Sequence, residues 1–415
     1  MWAEPGPSFA FSSPLAKTPP MEPSDLRIAL FSGNYNYVRD GANQALNRLV
    51  GYLLRQGAQV RIYSPVRDNP AFAPTGDLVN VPSVAIPRRP EYRIPSSLSA
   101  EVRADLEAFA PTIVHVSSPD VVAHRAVTWA RGRGIPVVAS VHTMFETYLQ
   151  YYGLSWAEPT FRAILRRFYR RCDAIVAPAE STAAVLHAQR MSRDITIWSR
   201  GVDRDQFNPD RRSLEWRRRL GIGDDEMVVA FLGRIVMEKG LGVFVEAIDG
   251  ATRRQISPRV LVIGDGPARD WFAGKLPADA VFVGAKTGTD LAIALASADI
   301  FLNPSITEAF GNVTQEAMAC GLPVIAARAT GATSLVEDGV SGILVDPLEP
   351  DQYGAAIAAY AADPALRAAH GAAGLAFAKT RDWDVINGAV MRLYTRVIER
   401  RERMVALYGN RWLPG

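Results

Sequence analysis

Two carboxylates eight residues apart, Glu308 and Glu316, lie in the stretch NPSITEAFGNVTQEAMACGLPVI over Asn303–Ile325, which packs an unusual amount of chemistry into one loop and one helix. An apolar strand over Asp299–Leu302 precedes it, and a second over Val324–Ala327 follows the turn at Gly321 and Pro323. Pro304 and Gly311 delay the helix, so it is expected to begin near Asn312 or Val313 and to be capped by Gly321. Its first turn presents unpaired amides and a partial positive charge, which suits a phosphate. Glu308 then stands on the loop and Glu316 one turn inside the helix, both facing the edge of an α/β sheet where ligands gather. Taken alone, the same residues fit an ordinary βα unit with two solvated carboxylates equally well.

Other chemistry is scattered. GRIVMEKG follows a strand and carries Arg234 and Lys239 on one loop, where two cations suit a departing diphosphate; surface cations are the plain alternative. His142 ends the VVASV strand, within reach of a sugar hydroxyl or a phosphate, whereas His115 sits inside a strand and reads as core. Gly41, just before a helix, offers backbone amides to an anion or sugar, or is a turn glycine. The aromatic run FETYLQYYG after His142 could line an acceptor groove or pack in a core.

The elements that must hold these residues alternate strand and helix: RIALFS, then QALNRLVGYLLRQG, then VRIYSP, and onward through TIVHVSS, IPVVASVH and AIVAPA. This is a doubly wound parallel sheet. The first loop lacks the G-x-G-x-x-G spacing of a dinucleotide fingerprint, which argues against a nicotinamide enzyme. Near WSRGVDRDQFNP the composition turns polar, a hinge, and a second series follows through MVVAFLGRI, RVLVIGDGP, AVFVGA and GILVDP. The division is therefore a disordered, proline-rich tail over 1–24, a first Rossmann-like domain over 25–200, and a second over 201–382. A C-terminal helix over about 383–415, helical throughout WDVINGAVMRLYTRVIERRERMVALY, completes the first domain.

A chain of 415 residues with 48% hydrophobic and 21% charged content is an ordinary globular enzyme of two domains. Its two cysteines, Cys172 and Cys320, read as packing residues in a reducing, cytoplasmic compartment. No apolar run is long enough to span a bilayer. Residues 1–200 carry 22 Lys and Arg against 16 Asp and Glu, and residues 201–415 carry 24 against 27. Much of the basic excess lies in Arg162, Arg166, Arg167, Arg170 and Arg171, among Phe161, Ile164, Leu165 and Phe168 at helical spacing. Such a helix suits peripheral contact with an anionic membrane, at its inner face, or is a solvated face. No nucleic-acid partner is expected.

Together these pieces resemble the retaining glycosyltransferases of the GT-B fold, in particular the family numbered four. RGVD at Arg200–Asp203, GRIVMEKG, VIGDGP, FVG and EAFGNVTQEAMACGLPVIA stand in that family's order, over about Leu26 to Tyr394. The resemblance implies two Rossmann-like domains facing across a cleft, with a UDP- or GDP-sugar as donor. It implies Arg234 and Lys239 as a diphosphate clamp, Glu316 on the ribose and Glu308 on donor-sugar hydroxyls. The amides of Gly311, Asn312 and Val313 would hold sugar and phosphates, and Gly264 and Val283 of FVG would border the base. Gly41 would approach the donor, and His142 would lie at the reacting face. HTMFETYLQYYG is similar to a segment of glycolipid-type members, including α-mannosyltransferases and sulfoquinovosyl diacylglycerol synthases, so a lipid or glycolipid acceptor is expected, with a soluble glycan as the alternative.

The chemistry so implied is retention without a protein nucleophile, by front-side attack with the departing diphosphate as base. No Asp-x-Asp or His cluster has metal spacing, so no metal or other cofactor is expected. A phosphorylase would need a lysine-bound pyridoxal phosphate that nothing marks, and a dead binding protein would be expected to lack Glu308, Arg234 or Lys239.

Overall fold

In the computed structural model, residues 21–408 are described except 39, 87–88 and 145–152. The aromatic run over 145–152 therefore lies outside the described residues. The first domain is built on a seven-stranded parallel sheet of β1 (Arg27–Phe31), β2 (Gln59–Ser64), β3 (Asp77–Asn80), β6 (Ile113–Val116), β7 (Val137–Ser140), β8 (Ala174–Ala177) and β9 (Ile195–Ile197), in the order β3-β2-β1-β6-β7-β8-β9. An antiparallel hairpin, β4 (Ser83–Ile86) and β5 (Arg89–Pro95), is inserted after β3. Sequence patterning misses this hairpin, because its prolines and arginines break the alternation that marks a strand.

The second domain carries a six-stranded parallel sheet of β10 (Val228–Leu232), β11 (Arg259–Ile263), β12 (Val281–Gly284), β13 (Ile300–Asn303), β14 (Val324–Ala327) and β15 (Gly342–Val345), ordered β12-β11-β10-β13-β14-β15. The central strands of both sheets are buried on two faces, which is why they read as unbroken apolar runs such as VVAS and IFLN. In each sheet the strand order reverses beside the first strand, so the crevice at the carboxyl ends opens between β1 and β6 and between β10 and β13.

The long helix Trp383–Tyr408 returns to the first domain, where Val390, Leu393, Tyr394, Val397 and Ile398 join the core under the Gly41–Arg55 helix. His115 is fully buried there, its Nδ1 2.5 Å from the Tyr394 hydroxyl. The two chain crossings between domains touch: the Val202 amide donates to the Arg381 carbonyl at 3.3 Å, and a Cβ on Gly201 would meet the Trp383 ring at 2.6 Å. At the boundary of the expected tail, residues 23–25 form a 3₁₀ turn, and Met21 and Leu26 pack on the first core.

Candidate active site

The second domain's contribution starts where β10 ends. Gly233 and Gly240, both with positive φ, bracket a loop that closes in a 3₁₀ turn over Met237–Lys239. A Cβ on Gly240 would fall 2.9 Å from the Pro304 carbonyl, so glycine lets this loop lie against the one that follows β13. Thr307 Oγ1 donates to the Glu238 carbonyl at 3.2 Å and fastens the two. The result is an ion pair between loops, Lys239 Nζ to Glu308 Oε1 at 2.8 Å, with Glu308 the more buried partner. Arg234 leaves the same loop with its side chain exposed.

Gly311, at φ +98°, turns the chain into the helix Asn312–Ala319 without any side-chain N-cap, and the helix ends in a Schellman turn in which the Leu322 amide reaches the Ala317 carbonyl at 3.1 Å. Asn303 Nδ2 donates to Thr314 Oγ1 at 2.9 Å and locks strand to helix. Opposite, the Gly41–Arg55 helix of the first domain starts from an Asp40 N-cap, whose carboxylate accepts from the Asn43 amide at 2.8 Å. A Cβ on Gly41 would sit 1.9 Å from Asn312 Nδ2. The Asn312 carboxamide thus lies directly against Gly41, where two helix N-termini, one from each domain, come together at the cleft.

Glu316 lies one turn further along. Burial pushes its carboxyl up to about 8; Arg48 on the opposing helix opposes that rise, and Glu308 adds to it. Arg48 also lies 3.5 Å from Asp203. His142, at the end of β7, has both ring nitrogens engaged by the protein: Nε2 is 2.8 Å from Ser140 Oγ, and Nδ1 accepts from Arg200 Nη2 at 3.0 Å. Burial, then Arg200, then His115 hold its pKa well below the usual imidazole range, so the ring is neutral.

The structure thus joins Gly41, Lys239, Glu308, Gly311 and Asn312 through direct contacts. Gly264 and Val283 are placed by packing. A Cβ on Gly264 would meet the Gly233 carbonyl at 1.9 Å, so that glycine is required by strand-end packing, and Val283 packs against the second core. Sequence reasoning missed the residues that bind the halves together. Thr182 Oγ1, fully buried, donates to the Ala309 carbonyl at 2.7 Å; Ser181 and Ser334 hydroxyls pair at 2.8 Å; and Gln315 Nε2 donates to the Arg200 carbonyl at 2.9 Å. RGVD was visible as a motif, yet only the fold shows what Arg200 faces.

The basic segment is also less free than its spacing suggests. In the helix Glu158–Tyr169, Leu165 and Phe168 are buried but Ile164 is exposed, Arg162 pairs with Glu158, and Arg170 and Arg171 lie past the helix and bond the Arg190 carbonyl and Thr128. Both cysteines are buried free thiols. Among the described residues no helix is long and apolar enough to cross a membrane, and no three His, Cys, Asp or Glu gather as a ligand cluster.

Two parallel-sheet Rossmann-like domains with helix ends and cations converging on the cleft define the GT-B architecture of sugar transferases. Residues 39–206 match the model of Glycosyltransferase Family 4, and residues 226–363 that of Glycosyl transferases group 1. A GDP-mannose-dependent alpha-mannosyltransferase of Mycolicibacterium smegmatis is 31% identical over 92% of this chain and all of its own length. A sulfoquinovosyl transferase of Arabidopsis thaliana is 32% identical over 79% of this chain, which spans 66% of that protein. Among solved structures, a sucrose-phosphate synthase from Thermosynechococcus elongatus superposes with TM-score 0.75 at 20% identity, over 90% of this chain and 100% of its own. HepE of Anabaena, in complex with UDP and glucose, superposes with TM-score 0.67 at 21% identity, over 89% and 99%. The chain belongs to glycosyltransferase family 4 and is an enzyme that transfers a sugar from a nucleotide-sugar donor.

Proposed function

We propose that this enzyme moves a hexose from a UDP- or GDP-sugar to a lipid or glycolipid acceptor, with retention and without a metal. The observation that carries the reading is the Lys239–Glu308 pair beside the uncapped end of the Asn312–Ala319 helix. A cation, a carboxylate acceptor and a set of amides lie together, as a sugar diphosphate requires. In this reading Arg234 and Lys239 take the diphosphate oxygens. Glu308 accepts from sugar hydroxyls, Glu316 from the ribose, and the amides of Gly311, Asn312 and Val313 complete the cradle. The bond from the anomeric carbon to the diphosphate breaks, the acceptor oxygen bonds the same face, and a leaving phosphate oxygen takes the acceptor proton. The diphosphate charge is met by the two side chains and the helix end. Gly264 and Val283 border the base.

Relatives named for GDP-mannose favour a mannosyl donor, while HepE was solved with UDP, so the base is the first thing to test. Thermal shifts with UDP and GDP are expected to rise for one of them by mass action; no shift with either sinks the donor reading. The membrane reading is favoured by apolar side chains beside the basic helix, Trp156 at 79%, Ile164 at 52% and Leu154 at 41% exposure. Flotation with anionic liposomes tests it, for a cytoplasmic enzyme at the inner face. Absent binding, with full activity on water-soluble acceptors, favours the soluble-acceptor alternative instead.

A further inference from the structure

We infer that Arg200 is a positioning residue that holds His142 in one tautomer, with the proton on Nε2, and ties that histidine to the donor helix. The inference rests on the reading of His142 as a residue of the reacting face. Arginine has five N–H donors and no acceptor. The nitrogen it bonds, Nδ1 of His142, must therefore carry the lone pair, and in the neutral ring the proton is on Nε2.

The guanidinium has little freedom to do anything else. Its Nη1 donates to the Trp198 carbonyl at 2.6 Å and the Ser199 carbonyl at 3.0 Å, and its carbon lies 4.6 Å from the centre of the Trp198 ring. That ring also meets His142 edge-on, with centroids 5.5 Å apart, and is itself anchored to the last helix by Trp198 Nε1 to Asn387 Oδ1 at 3.1 Å. The Arg200 side chain is buried, so these bonds are not exchanged for water. The Arg200 carbonyl accepts from Gln315 Nε2 at 2.9 Å, and Gln315 is the neighbour of Glu316 on the Asn312–Ala319 helix. One residue on the crossing between domains thus grips the first domain's histidine with its side chain and the donor helix with its backbone. His142 is left as a hydrogen-bond donor through Nε2, now held by Ser140 Oγ, and is barred from acting as a base through Nδ1.

The test is nitrogen NMR on the full chain labelled with [¹⁵N]histidine. There are five histidines, and His142 is identified by the resonances missing from His142→Gln. The wild type is expected to show a proton-free Nδ1 and a protonated Nε2 for this ring between pH 6 and 8. A protonated Nδ1, or an imidazolium, in the wild type overturns the inference without any variant. In Arg200→Met the ring is expected to populate both tautomers and to titrate, with kcat falling about 100-fold as misplacement of a reacting group does, while the nucleotide thermal shift persists. An unchanged His142 spectrum in that variant also overturns it. Loss of the nucleotide shift in the wild type would instead strike the donor reading, so the two failures are told apart.

Discussion

Lys239 Nζ and Glu308 Oε1 lie 2.8 Å apart, joining two loops that leave different strands of the second sheet. The pair holds both side chains in place before a donor arrives, which lowers the entropy lost on binding. It also keeps Glu308 from repelling a diphosphate. In the proposed reading Lys239→Ala removes a phosphate ligand and frees that carboxylate at once, so it is expected to cost more than Arg234→Ala. Each should lower turnover by orders of magnitude, roughly 3 to 4 kcal/mol for a lost charge stabiliser. Adding Glu308→Gln to Lys239→Ala should recover part of the nucleotide affinity, although it removes a sugar ligand. Calorimetry of UDP or GDP binding to the wild type, Lys239→Ala, Glu308→Gln and the double variant measures the coupling; strict additivity would show that the pair has no role in donor binding.

Gly41→Ala separates folding from function. Alanine is the better residue within a helix, by roughly 0.5–1 kcal/mol, and the φ of Gly41 is not among the positive ones, so stability should hold or rise. The new methyl would fall 1.9 Å from Asn312 Nδ2 and must push that side chain off the cleft. Donor KM is expected to rise, and Gly41→Ala with Asn312→Ala should behave as Asn312→Ala alone. Full activity in the single variant would mean that the two helix ends part during turnover.

Thr182→Val keeps the shape of a fully buried side chain and deletes its bond to the Ala309 carbonyl, next to Glu308. A buried carbonyl left without a partner costs about 1–3 kcal/mol. The melting temperature should drop accordingly, and the donor KM should rise because the loop carrying Glu308 loses its hold on the first domain. A variant with lower stability but unchanged donor KM would confine Thr182 to a packing role.

What the sequence disclosed follows the range of the forces involved. The helix over Trp383–Tyr408 and the start at Asn312 were legible because apolar period, glycine and proline act within a few residues. The apolar run places strand β13 one residue early, since Asn303 continues the pairing to Ala326 that the run alone does not show. Ile164 shares helical spacing with Phe161, Leu165 and Phe168 yet faces outward, because periodicity defines a stripe but not how much of it a neighbour covers. Arg200 meets His142 across 58 residues and Gln315 across 115, separations over which no local pattern reports.

Glu316 makes stability depend on pH in a direction opposite to most carboxylates. Its pKa in the fold is about 8, against about 4.3 in an unfolded chain, so between these values the native state holds a proton that the unfolded state lacks. Stability then falls as pH rises. The contribution is complete below about pH 4 and is lost as pH climbs through 8. In Glu316→Gln the side chain mimics the protonated form at every pH, so its melting temperature should decline less than that of the wild type between pH 5 and 8, with the variant the more stable at the alkaline end. Parallel melting curves for the two proteins would show that Glu316 is ionised in the fold. A ribose that donates to both carboxylate oxygens needs the ionised form, so above about pH 8 the same variant should bind the nucleotide more weakly than the wild type, because an amide offers the ribose one acceptor oxygen in place of two.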